Sequence, residues 1–129
     1  EIDIRVDFQE DKCLVKADID RIQQVIINLL DNAIKFNRHG GLLHIRTWKN
    51  RGKVFVRIQD QGPGIPKDEI KNIWERFYQV EKSRSGLERG TGLGLSIVKK
   101  IIDEHQQRIW VHSKEGQGTA FIFSLDAKS

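Results

Sequence analysis

Three groups of residues in this 129-residue chain have the types and spacing to do chemistry. The first is Asn28, Asn32 and Lys35, which fall within roughly 60° of one another at 3.6 residues per helical turn. Two amides and an ammonium on one stripe offer oxygen ligands for a hard cation and a positive partner for phosphate. The same stripe would also serve as a solvated face, with Lys35 favoured near a helix C-terminus by the dipole.

The second group is Asp60 with Gly62-Pro63-Gly64-Ile65-Pro66 close behind it. Asp60 has the strand parity of Val54, Val56 and Ile58, so its carboxylate points to the core side, where a buried acid needs a donor. The exocyclic amino group of adenine is such a donor, and Gly62 and Gly64 would let a planar ring approach the backbone. An aspartate that only opens a turn explains the same residues. Thr119, with the parity of Phe121 and Phe123, aims a hydroxyl at the same side, where it could bond Asp60 or a water shared with the base. Strand propensity also accounts for a threonine there.

The third group is Gly90-Thr91-Gly92-Leu93-Gly94-Leu95. Its glycines precede an apolar helix, where free N–H groups and the positive end of the dipole face a polyphosphate. No Gly-Lys-Ser/Thr follows, so it is not a Walker loop, and the third glycine of the dinucleotide fingerprint is missing. Lys82, Arg84 and Arg89 stand just upstream and add cations within reach of phosphates, although a solvated charge run contains the same residues. Taken together, the groups read as one ATP site, with Asp60 at the adenine end and Gly90 to Leu95 at the phosphate end.

These residues need elements to hold them. Ile2, Ile4, Val6 and Phe8 alternate as in a half-buried strand, and Cys13-Leu14-Val15 predicts a short second one. From the N-cap Asp18, apolar residues at Ile19, Ile22, Val25, Ile26, Leu29, Ala33 and Ile34 predict a helix ending near Asn37, before His39-Gly40-Gly41. Leu43, Ile45 and Thr47, then Val54, Val56 and Ile58, predict a hairpin turning at Asn50-Arg51-Gly52. A short helix is expected from Lys67 to Phe77, a long polar loop from Gln79 to Arg89, and an apolar helix from Leu93 to Ile102. Ile109 and Val111 mark a strand, and Gly116-Gln117-Gly118 turns the chain into another carrying Phe121, Phe123 and Leu125. The expected fold is an α/β sandwich: a mixed, mostly antiparallel sheet of about five strands with about three helices on one face.

Composition fits one soluble domain, with 38% hydrophobic and 31% charged residues. No apolar run approaches the roughly 20 residues of a membrane helix. The single cysteine, Cys13, excludes an internal disulfide and cysteine-cluster metal sites. A net charge of +4, scattered among acids, suits a polyanionic ligand and carries no nucleic-acid fingerprint.

Asn28-Leu-Leu-Asp-Asn32-Ala33-Ile-Lys35-Phe36 resembles the N box of the histidine-kinase catalytic and ATP-binding domain, a GHKL-superfamily module with the Bergerat fold. Asp60 to Pro66 resembles its G1 box, Glu75-Arg76-Phe77-Tyr78 its F box, Gly90 to Leu95 its G2 box, and Gly116-Gln117-Gly118-Thr119 its last glycine box. The motifs come in the family's order and span nearly the whole chain, so that residues 1–129 are expected to form one catalytic domain. The resemblance implies that Asn32, with Asn28, helps hold Mg²⁺, that Lys35 contacts phosphate, and that Asp60 reads the adenine amino group. It also implies that Phe36 lies beside the base, with Ile65, Tyr78, Leu93 and Leu95 in the binding motifs. An ATP lid is expected over about residues 79–91, with Phe77 anchoring its base.

Two departures stand out. Many relatives carry arginine after the Phe-Tyr pair where this chain has Gln79, which leaves Lys82 or Arg84 to meet the terminal phosphate. The usual Gly-Gly before the penultimate strand is Gln106-Gln107, which bears only on that turn. Relatives of the gyrase type that hydrolyse ATP usually have glutamate at the position of Asn28, and an amide cannot deprotonate water. The resemblance therefore implies phosphoryl transfer to a histidine on a separate dimerisation domain, with an ATPase that drives conformational change or a non-catalytic nucleotide-binding interaction module as the alternatives. A response regulator would be the downstream partner, and the parent would be a membrane-anchored, homodimeric bacterial sensor with this domain, itself monomeric, in the cytoplasm. His39, His44, His105 and His112 all lie outside the acceptor context, so the chain is expected to bind ATP without labelling itself.

Overall fold

A computed structural model describes residues 2–8, 15–76, 78 and 94–128. Its strands are β1 (Asp3–Phe8), β2 (Val15–Lys16), β3 (Leu42–Asn50), β4 (Lys53–Gln59), β5 (Ile109–Lys114) and β6 (Gly118–Ala127). Its α-helices are α1 (Ile19–Phe36) and α2 (Gly94–Glu104). All six strands form one sheet in the order β1-β3-β4-β6-β2, with β5 also on β6. Only the β1–β3 pairing is parallel among these ladders, and α1 lies in the connection between the two strands. The sheet is thus mixed and mostly antiparallel, as the alternation predicts.

Local chemistry sets the element boundaries. The Asp18 carboxylate accepts from the N–H groups of Asp20 (3.1 Å) and Arg21 (3.3 Å), satisfying two of the orphan donors that open α1. The β3–β4 turn places Arg51 (φ 50°) and Gly52 (φ 77°) in the left-handed region, the pattern of a tight hairpin turn. The expected helix from Lys67 to Phe77 is shorter, with helical geometry only at Ile70–Asn72. Its amides reach back three residues rather than four, from Glu69 to Pro66, from Asn72 to Glu69 and from Glu75 to Asn72. This tighter winding still turns Ile73 into the core and sets Trp74 edge-on to Phe121 at 5.8 Å between centroids.

The core lies between the helices and one face of the sheet. Ile22, Val25, Leu29 and Ala33 of α1 and Val98, Ile101 and Ile102 of α2 meet Leu43, Ile58, Phe121, Phe123 and Leu125. Leu29 is fully enclosed, so truncation to alanine costs about 2–5 kcal/mol. The opposite face carries Trp48 stacked on Phe55 at 5.4 Å, with Trp110 at 6.1 Å from Phe55.

Side-chain contacts at both ends orient α2 against α1. The Asn28 amide donates from Nδ2 to the Gly94 carbonyl at 3.4 Å, fixing the start of α2. At the other end His105 Nδ1 donates to Ile101 O (2.9 Å), and Nε2 accepts from the Asp18 N–H (3.1 Å). Beside it Arg21 pairs with Glu104. The helix α2 therefore runs antiparallel along the first half of α1. Gln106, one of the two residues in place of the usual Gly-Gly, ends α2 at φ 57°. The Gln107 N–H reaches Ile102 O, and the Gln106 N–H reaches Asp103 O, so the turn keeps the geometry a glycine would give it. Among the described residues, no helix is long and apolar enough to cross a membrane.

Candidate functional site

Asp60 follows β4 at one end of the sheet and is buried. Its Oδ1 accepts from the Gly62 N–H at 2.8 Å and the Thr119 N–H at 3.2 Å. Burial raises the Asp60 carboxyl above the ordinary 3.8, while these two N–H groups pull it down. The bonds from described residues end on Oδ1, so the second oxygen is the one available to an incoming donor.

The loop behind Asp60 is clamped from three sides. From α1, Asn37 caps the helix and its Oδ1 accepts from the Gln61 N–H at 3.0 Å, while Nδ2 donates to Leu42 O at 3.2 Å. Gln61 Oε1 in turn accepts from the Leu42 N–H (2.9 Å) and from Arg38 (3.2 Å). From the β5–β6 turn the Gly116 N–H donates to Pro63 O at 2.7 Å, and from β5 Ser113 Oγ accepts from the Ile65 N–H at 2.7 Å. From β6, Thr119 O accepts the Asp60 N–H at 2.9 Å. Sequence reasoning missed Asn37, Gln61 and Ser113. The parity of Ser113 with Ile109 and Val111 was the one signal that pointed to it.

The two glycines are also required by the fold itself. A Cβ on Gly62 would lie 3.0 Å from the Phe36 carbonyl carbon and closer still to its oxygen. A Cβ on Gly64, at φ 77°, would lie 2.8 Å from the Lys114 carbonyl carbon. The protein's own backbone, from the end of α1 and the end of β5, therefore comes close enough to exclude a side chain at both glycines. Thr119 is buried where its parity places it, but its hydroxyl meets Ser113 Oγ at 2.9 Å, and it is the Thr119 backbone N–H that reaches Asp60.

Asn28 and Asn32 share one side of α1, both half-buried, and Lys35 is more exposed beyond them. Lys35 pairs with Asp31 at 2.9 Å, an exposed ion pair worth under about 1 kcal/mol that a phosphate would readily displace. With Asn28 Nδ2 turned to Gly94, its Oδ1 remains as a ligand oxygen. No cluster of three His, Cys, Asp or Glu suited to a metal occurs among the described residues. Two amide oxygens suit a magnesium ion that takes its other ligands from water and phosphate.

Phe36 ends α1, half-buried, with its carbonyl against Gly62. Ile65 and Leu95 pack on the core edge, and Tyr78 donates its hydroxyl to Glu69. That bond raises the Tyr78 pKa. Gly94 opens α2, and among the described residues nothing lies within 4 Å of where a Cβ would be. Phe77, Gln79, Lys82, Arg84, Arg89, Gly90, Thr91, Gly92 and Leu93, like Cys13 and Leu14, lie outside the described residues. Of the histidines, His44 bonds Asp7 at 2.7 Å, His105 joins the helices, and His39 and His112 are exposed.

The model of a family described as histidine kinase-, DNA gyrase B- and HSP90-like ATPases matches residues 17–129. The sensor histidine kinase YkoH of Bacillus subtilis (strain 168) is 43% identical over 127 residues, which are 98% of this chain and 28% of YkoH. The chain spans about a quarter of the length of the curated relatives it matches. The nucleotide-free catalytic domain of histidine kinase ThkA superposes with a TM-score of 0.83 at 36% identity, covering 97% of this chain and 80% of that one. ThkA has also been solved in complex with the response regulator protein TrrA (TM-score 0.80, 34% identity, covering 98% and 34%). Full-length ShkA in complex with AMPPNP gives a TM-score of 0.84 at 28% identity, covering 99% and 26%.

Proposed function

Because the chain belongs to the histidine kinase-, DNA gyrase B- and HSP90-like ATPase family, we propose that it binds Mg-ATP and donates the γ-phosphoryl group to a histidine on a separate dimerisation domain of a sensor kinase. The observation that carries this reading is the buried Asp60, held by two backbone N–H groups on one oxygen just after β4. An acceptor fixed in that way suits the amino group of adenine, and its burial strengthens the bond it makes. Asn28 and Asn32 supply amide oxygens to the cation, and Lys35 exchanges Asp31 for a phosphate. When bound, Mg²⁺ neutralises charge on the transferred group. The cations Lys82, Arg84 and Arg89 of a lid over about residues 79–91 add to that, in place of the arginine that Gln79 replaces, and Gly90 to Leu95 receive the phosphates.

Asn28 supports transfer over hydrolysis. Its amide has no basic lone pair to take a proton from water, and its nitrogen is already committed to Gly94. The histidine acceptor, on a dimerisation domain, and a response regulator are the partners of the intact protein. The parent is a membrane-anchored homodimer, and this domain works on its cytoplasmic side. The test is incubation with γ-labelled ATP and Mg²⁺, with and without a supplied dimerisation domain. Label should appear only on the supplied domain. Stable label on this chain alone, or steady phosphate release without an acceptor, would overturn the transfer reading.

A further inference from the structure

The alternation of an antiparallel sheet ordinarily puts polar residues on the face turned away from the core. Here that face carries a row of apolar side chains. Trp48 of β3 stacks on Phe55 of β4 at 5.4 Å and 13° between planes, and Trp110 of β5 lies 6.1 Å from Phe55. Ile122 of β6 stands in register between Arg57 and Trp110, and Trp110 is 36% exposed.

Two arginines border this row. Arg46 and Arg57 stand directly opposite each other in the β3–β4 ladder, where like charges destabilise a sheet. Asp7 is opposite Arg46 in the β1–β3 ladder, but its carboxylate is taken by Arg5 at 3.0 Å and His44 at 2.7 Å. Asp126, on the same face, pairs with Lys53 at 2.5 Å. Among the described residues, neither Arg46 nor Arg57 has an acidic partner. The Arg46 guanidinium lies over the Trp48 ring, 5.3 Å from its centroid, which holds the charge in place and leaves its N–H edge for an incoming carboxylate.

Tryptophan and arginine together, without acids, are the make-up of an interface centre. Charge then selects the occupant. A second copy of this chain is disfavoured, because a two-fold contact through the face sets the arginine pair against itself. Single-stranded nucleic acid needs open ring faces for its bases, and Trp48 is already engaged by Phe55 and Arg46. A protein segment with carboxylates meets neither obstacle. Its Asp or Glu side chains accept from the two guanidinium forks, and an apolar side chain two strand spacings away, about 10 Å from Arg57, covers Ile122 and Trp110. We propose that the face of the sheet centred on Arg46, Arg57 and Trp110 docks an acidic segment of a separate partner protein. Asp60 is buried with the parity of Ile58, on the other side of the sheet, so the proposal does not rest on the ATP reading.

The experiment is calorimetric titration of poly(Glu,Tyr), polyglutamate, poly(Lys,Tyr) and oligothymidylate into the chain, with melting temperatures measured alongside. Poly(Glu,Tyr) should bind more tightly than polyglutamate, poly(Lys,Tyr) should not bind, and excess Mg-ATP should displace nothing. The Arg46→Gln/Arg57→Gln pair should weaken poly(Glu,Tyr) roughly tenfold or more. Trp110→Ser should remove the advantage of poly(Glu,Tyr) over polyglutamate. Arg57→Glu gives Arg46 an internal partner, so it should weaken binding as much while raising the melting temperature. Lost binding with a lowered melting temperature in Arg57→Glu would make the arginines structural and overturn the proposal. It also falls if poly(Glu,Tyr) does not bind, if the arginine or tryptophan variants bind it as the parent does, or if Mg-ATP displaces it. Tighter binding of oligothymidylate through the same arginines would make the face a nucleic-acid site instead.

Discussion

Replacing Asp60 by asparagine should separate stability from nucleotide binding. In the ligand-free fold, burial lifts the Asp60 carboxyl above its ordinary value, so the folded chain holds the proton more tightly than the unfolded one. The sign follows from linkage: the contribution of this group to stability is complete below a pH of about 3.8 and is lost as pH rises through the folded value. At neutral pH the charged form is therefore a burden on the fold. Asparagine keeps an oxygen for the Gly62 and Thr119 N–H groups and carries no charge. Asp60→Asn should be as stable as the parent at neutral pH or more so, with the difference shrinking towards about pH 4. With Oδ1 still on the two N–H groups, however, the amide nitrogen takes the place of Oδ2 and faces the adenine amino group donor to donor. Loss of a hydrogen bond to a charged acceptor is worth about 1.5–3 kcal/mol, or roughly 10- to 150-fold in affinity for ATP. Calorimetric titration gives the affinity, and thermal denaturation between about pH 4 and 7 gives the stability. Unchanged ATP affinity in a well-folded Asp60→Asn chain would remove Asp60 from base recognition. A loss of more than about 1 kcal/mol of stability at neutral pH would refute the burial argument.

Three further substitutions probe the scaffold. Gln106→Gly should raise stability by about 0.5–1 kcal/mol, because the left-handed conformation costs a glutamine more than glycine loses in chain entropy; denaturant unfolding measures it. Gly62→Ala should lower stability by about 1–3 kcal/mol, since its Cβ meets the Phe36 carbonyl. An unchanged unfolding midpoint would show that the end of α1 yields. Asn37→Ala leaves the Gln61 N–H and the Leu42 carbonyl without their partner, costing about 1–3 kcal/mol. It should also weaken ATP binding, and ATP titration separates that loss from the stability effect.

Much of this arrangement was legible because it rests on short-range periodicity. Parity alone places Asp60 and Thr119 on the buried side, and the helical repeat places Asn28 and Asn32 on one stripe. What parity does not encode is which atom of a residue makes a contact. Thr119 reaches Asp60 through its backbone rather than its hydroxyl, and Asn28 holds Gly94, a residue 66 positions away. The clamp by Asn37, Gln61 and Ser113 depends on loops brought together only by the finished sheet. The segment after Pro66 shows apolar spacing compatible with either helix type, and the hydrogen bonds decided for the tighter one. At Gln106 the residue type argues against a left-handed turn, and the demands of ending α2 prevail.

The strand directions also bear on how the domain takes mechanical load. β1, β3 and β6 point the same way, so β1 begins at the Asp60 end of the sheet and β6 finishes beside the β3–β4 turn. Tension between Asp3 and Ala127 therefore runs along the strands, and the six residue pairs from Asp3–Leu42 to Phe8–Thr47 resist it together in shear. The same force applied across the sheet would peel β1 from β3 one rung at a time. The direction of a load, more than its size, decides whether this edge strand is the first to detach.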